Sequence, residues 1–134
     1  MIEITIEKVK ESIAALVDDT TSYNSLGFES LEVAINHYIE HIHKRVNDFE
    51  VLTQQMIDEQ NENYSDDYLY DAKVGDLVWG DDEMWVSQAT VESWSNNENQ
   101  VLSQSHNDIK DIADVVENDL IIEVLSDYNS KAKA

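Results

Sequence analysis

No proline interrupts this chain, and its 134 residues include only three glycines, so little along it forces the backbone out of a helix. The apolar residues follow helical spacing. Val9, Ile13, Leu16 and Val17 share one stripe and predict a first helix over residues 6–18, with Thr5 as its N-cap. Residues 19–27 are rich in turn formers and read as a loop. Phe28, Leu31, Ile35, Tyr38, Ile39, Ile42, Val46, Phe49 and Met56 then fall on a second stripe. That stripe predicts one helix from about residue 28 to about 60, roughly 45 Å long.

Residues 61–70 are polar and acidic, with Tyr64, Tyr68 and Tyr70 interleaved, and read as loop with a helical turn. Val74 to Trp79, a turn at Gly80 to Asp82, and Glu83 to Val86 fit a short hairpin near residues 74–86. A helix over residues 83–94 fits nearly as well. The polar stretch 96–100 separates this region from the last element. There Ser105 and Asp108 match a capping box, and Ile109, Ile112, Val116, Leu120, Val124 and Tyr128 mark another long helix. Lys131 and Lys133 suit the negative end of its dipole. No internal repeat is apparent. The pattern predicts a mainly α, small helical domain: one acidic unit over residues 1–134, with two long amphipathic helices and the short hairpin as an option.

A hydrophobic content of 42%, three Trp and six Tyr supply one core and argue against disorder, despite a net charge of −21. With no Cys, neither a disulfide framework nor a thiolate metal site can form. The N-terminal residues lack a basic region followed by an apolar one, and no apolar run approaches the length of a membrane span. A soluble cytoplasmic protein is expected.

Charge narrows the function. Between Val46 and Tyr128 stand 21 Asp and Glu against two Lys, a formal charge of −19. The eight Lys and Arg, scattered from Lys8 to Lys133, form no basic stripe, so direct binding of nucleic acid is excluded and an anionic membrane would repel the chain. Self-repulsion of this size works against the compact state, so the excess charge is expected to face a partner. On the last helix Asp108, Asp111, Asp114, Glu117 and Asp119 lie off the apolar stripe, with Lys110 as the one basic residue before Lys131. Asp114 with Glu117, and Glu123 with Asp127, read as unrelieved like-charge neighbours.

One catalytic pattern is present. His37, Glu40 and His41 match H-x-x-E-H, in which two His bind zinc and the Glu acts as base. Such a site needs a third ligand and a cleft, and the apolar stripe through Ile35, Ile42 and Val46 leaves both His on the polar side. They read as surface histidines. His43 and His106 carry no motif. Asp81-Asp82-Glu83 and Asn61-Glu62-Asn63 offer oxygens but do not fit a calcium-binding loop. There is no phosphate loop and no G-x-S-x-G, and carboxylates are too many for one acid–base pair to stand out. No catalytic residue, cofactor or metal is assigned, and no enzyme is expected. Trp79, Trp85 and Trp94 read as core or dimer-interface residues.

The first helix around Val9, the spacing from there to Leu31-Glu32-Val33-Ala34-Ile35, and the acidic final helix from Asp119 to Tyr128 resemble the phage-encoded acidic DNA mimics that block host defence, the Ocr-like antirestriction proteins. The resemblance covers about half the chain and does not extend to residues 64–94. Acidic anti-CRISPR proteins are similar in the same general way. The resemblance implies an acidic helical homodimer that competes with DNA, without catalysis, for the basic groove of a type I restriction-modification enzyme or a CRISPR surveillance complex in the host cytoplasm.

On that mechanism, carboxylates at roughly phosphate spacing meet Lys and Arg of the partner. The candidate contacts are Asp58, Glu59, Glu62, Asp66, Asp67, Asp71, Asp81, Asp82, Asp111, Asp114 and Glu117. The rival expectation is an acidic immunity or antitoxin-type protein that neutralises one specific basic partner. A zinc metalloprotease built on His37, Glu40 and His41 comes third.

Overall fold

The Thr5 hydroxyl accepts the Lys8 N–H at 3.1 Å and starts helix α1, Ile6–Ala14. This is shorter than the expected 6–18. The Asp18 carboxylate turns back to accept the Thr20 N–H and hydroxyl, and the Asp18 N–H donates to the Thr21 hydroxyl, so the chain leaves the helix before Asp18. These elements belong to a computed structural model that describes residues 3–23, 27–64, 67–81, 84–104 and 108–132. Among them the chain forms five helices and one three-stranded sheet, a mainly α domain.

The single helix expected over residues 28–60 is divided into three elements. Helix α2, Leu31–Arg45, is capped by Ser30; strand β1 is Phe49–Val51; helix α3, Gln54–Asn63, is capped by Thr53. Asn47 makes the break. Its amide donates to the His43 carbonyl at the end of α2, and also bonds the N–H and carbonyl of Ile4, 43 residues away. The next residues then gain a sheet partner. Phe49 pairs with Trp79 and Val51 with Leu77, and a tertiary ladder overrides weak helical propensity at such β-forming residues.

The hairpin is present as strands β2, Leu77–Asp81, and β3, Met84–Val86, in an antiparallel sheet of order β1-β2-β3. Helix begins only after it, with α4, Gln88–Gln104. Residues 96–100, expected to separate two elements, lie inside α4. Nothing in that stretch breaks a helix, and Val91, Trp94 and Ser95 hold the preceding turns inward while Asn96 and Asn97 face solvent.

Helix α5, Ile109–Ala132, is the spine of the fold and touches α1, α2, α4 and β2. The Asp108 carboxylate accepts the Lys110 N–H at 2.9 Å and caps it; the expected Ser105 cap lies outside the described residues. The one apolar stripe expected here is widened. Ala113, Val115, Ile121 and Leu125 are buried along with Ile109, Ile112, Val116, Leu120 and Val124, as befits a helix covered on most sides. Asn129 of α5 clasps the backbone of Leu77, accepting its N–H at 2.8 Å, and so ties the sheet to the spine. No helix among the described residues is long and apolar enough to cross a membrane.

Candidate partner-binding surface

The sheet sorts its side chains by alternation. Leu77, Trp79 and Val86 face the core formed with α5, and Trp79 is 2% exposed. Val78 and Trp85 point to the other face, shared by Asp48 and Glu50 across the strand pair. Gly80 leaves room there for Trp85. A Cβ at Gly80 would meet the Asp48 carboxylate at 2.7 Å and the Trp85 ring at 3.0 Å.

On the core side the acids are answered. Arg45, at the end of α2, donates to Glu117 of α5 and to Asp81 of β2, each at 2.8 Å, and lies 5.1 Å above the Trp79 ring. Trp79 in turn donates its indole N–H to the Arg45 carbonyl. Burial pushes the Glu117 carboxyl above its ordinary pKa, and Arg45 and His41 offset this only in part. Burial also opposes the charge on Arg45, but its bonds to Glu117 and Asp81 outweigh it and hold its pKa up. A cavity of about 300 Å³ opens beside this cluster, lined also by Trp94, Asp114 and Asn118.

The like-charge pairs expected to be unrelieved along α5 each meet a cation. Asp114 bonds Lys110 at 2.8 Å, Glu123 meets Lys8 of α1 at 3.9 Å, and Asp127 meets Lys131 at 3.2 Å. Asp119 accepts the Ser95 hydroxyl of α4. Two of these relieving cations, Arg45 and Lys8, come from other helices. Among the expected contacts, therefore, Asp81, Asp114 and Glu117 are engaged within the fold, while Asp111 is half-buried on α5.

Helix α3 and the segment after it differ. Asp58, Glu59, Glu62, Asp67 and Asp71 are exposed, and among the described residues no Lys or Arg pairs with them. Asp58 and Glu59 accept only from the neutral amides of Gln54 and Gln55, one turn earlier. Asp71 sits in left-handed backbone with φ of 62°, a conformation that Asp tolerates. Asp66 and Asp82 lie outside the described residues. Helix α3 buries one residue, Gln60, whose amide accepts the Trp85 N–H at 2.6 Å and donates to the Trp85 carbonyl at 2.8 Å. The amide thus occupies the free edge of β3 as a strand partner would.

The outward face of the sheet carries two exposed acids outside the expected contact set. Asp48 and Glu50 stand on the outward face of the sheet, where a continuous helix would have put them on a solvated flank. The alternation Phe49-Glu50-Val51 was their only signal.

His37 and His41 are exposed on α2, their rings stacked at 6.1 Å, with Phe28 5.2 Å from His37. Among the described residues no group of three His, Asp or Glu is placed to hold a metal ion. Trp79 is a core residue, while Trp85 and Trp94 are half-buried. Compared with known proteins, the chain matches no family model, no curated protein and no solved structure.

Proposed function

We propose that this protein inhibits a host defence enzyme by filling its positively charged DNA-binding groove, binding competitively and without catalysis in the host cytoplasm. The supporting observation is the row of exposed carboxylates on α3, Asp58, Glu59 and Glu62, which no Lys or Arg among the described residues neutralises. Among the described residues Asp58 and Glu59 accept from neutral amides, and a basic groove would supply the cations that these carboxylates lack. Asp67 and Asp71 extend the surface beyond α3. Asp81 and Glu117 leave the contact set in this proposal, because Arg45 holds both. Contact would release anions from the groove as DNA releases cations, and it would weaken with salt.

A competition assay tests this. Fluorescent duplex is bound to a type I restriction complex or to a CRISPR surveillance complex and titrated with the protein at two salt concentrations. Displacement near stoichiometry that weakens with salt is expected from one of them. The fourfold variant Asp58→Asn, Glu59→Gln, Glu62→Gln, Asp67→Asn should lose it. Full displacement by that variant, with its fold intact, would falsify groove mimicry. No displacement by the unaltered protein from either complex would point instead to a single dedicated basic partner, as an immunity protein or antitoxin has.

A further inference from the structure

Against α3 lies a slot of about 130 Å³, walled by Met56, Glu59, Gln60, Asn63, Tyr64 and Trp85. Small-molecule sites usually span roughly 300–1,000 Å³, so a single inserted side chain is the natural occupant. The walls are held in place. Gln60 grips the Trp85 backbone, Gly80 leaves space for the indole, and Tyr64 rests edge-on against Tyr68, which rests edge-on against Trp94. One wall residue is charged. Glu59 is exposed, belongs to the row of α3 that no Lys or Arg among the described residues pairs with, and its carboxylate accepts from the neutral Gln55 amide.

We propose that this slot receives one arginine side chain of the partner, its stem along Met56 and Trp85 and its guanidinium between the aromatic walls and Glu59. The proposal rests on α3 facing a basic groove, and it adds the chemical identity of one anchor in that groove. Arginine suits the slot better than lysine. A guanidinium is planar, weakly hydrated and forked, so it stacks on an aromatic ring and meets a carboxylate with two bonds; an ammonium keeps its water and acts as a point charge. A DNA backbone has no such slot, so the anchor would give this protein a hold on its partner that DNA lacks.

The test uses the full chain and two probes, an octa-arginine and an octa-lysine peptide, with binding followed by calorimetry at low salt. The arginine peptide should bind more tightly by roughly threefold to fivefold, the scale of an exposed cation–π contact. Trp85→Leu should bring that ratio close to one, while Trp85→Phe should keep most of it. Met56→Phe fills the slot without changing charge and should also abolish the preference, which keeps the test decisive if Trp85→Leu folds poorly. An unchanged ratio in Met56→Phe, with both peptides still bound, overturns the slot and leaves groove mimicry standing. Failure of both peptides to bind the unaltered protein overturns groove mimicry, and the slot with it.

Discussion

Helices α5 and α3 carry acid at similar density, yet the two helices treat it in opposite ways. On α5, Asp114, Glu117, Asp119, Glu123 and Asp127 each have a partner, drawn from Lys110, Arg45, Ser95, Lys8 and Lys131. On α3, Asp58 and Glu59 have only neutral amides. For Glu117 the difference follows from burial, while Asp119 and Glu123 are exposed and meet partners on α4 and α1, which pack beside α5. A carboxylate beside a core must be paired, because a lone charge taken out of water is costly and an opposite charge held close to it offsets that cost. Helix α3 buries only Gln60, so its charges remain in water and carry no such requirement. Charge count alone therefore does not distinguish the two helices; the absence of a cationic partner among the described residues does.

The strongest way to break this contrast is to remove Arg45. Arg45→Met leaves Asp81 and Glu117 facing the same partly buried space with no cation between them, and unfolding by urea should show a loss of about 3 kcal/mol. Neutralising both acids in the same chain should recover much of that loss. If Arg45→Met were as stable as the parent, the acids of α5 would not need their partners, and the distinction from α3 would collapse.

Gln60→Leu comes next. It conserves bulk but leaves the Trp85 N–H and carbonyl without their partner, a loss of about 2 kcal/mol. Hydrogen exchange sharpens the comparison: α3 amides should exchange faster while those of α5 keep their protection. Uniform acceleration in both helices would mean that α3 is integral to the core.

A smaller effect concerns pH. Burial raises the Glu117 pKa in the fold, so the native state binds that proton more tightly than the unfolded chain does. Its contribution to stability is therefore present at low pH and lost as pH rises through the raised pKa. Carbon NMR should find the Glu117 carboxyl titrating above the ordinary Glu range. Titration below that range would mean that Arg45 outweighs burial.

Much of the architecture was legible in the sequence, because stripes at helical spacing and caps such as Thr5 are local signals. The break at Asn47 was not. Phe49 and Met56 happen to continue the stripe of α2 in phase, while the contacts that stop the helix reach back to Ile4 and across to Trp79. The same limit hid the pairing of Glu117, whose cation stands 72 residues earlier. The acids of α3 were legible as charges and as candidate contacts. Their exposure depends on how shallowly α3 is attached, and that is a tertiary property.

The smallest expected change in stability is also the one that separates residues needed by the fold from the proposed contact surface. Replacing Asp58, Glu59 and Glu62 together by their amides removes three negative charges that no Lys or Arg of the described chain offsets. Stability should shift by no more than about 0.5 kcal/mol, toward the folded state, because surface replacements away from special contacts are near neutral and self-repulsion eases. The same number of amides placed at Asp114, Glu117 and Glu123 should destabilise the fold, since each removes one member of an ion pair. Thermal unfolding of the two triple variants side by side gives the answer. A destabilised α3 variant would mean that those carboxylates hold the protein together, and they would then no longer stand as a surface kept for a partner.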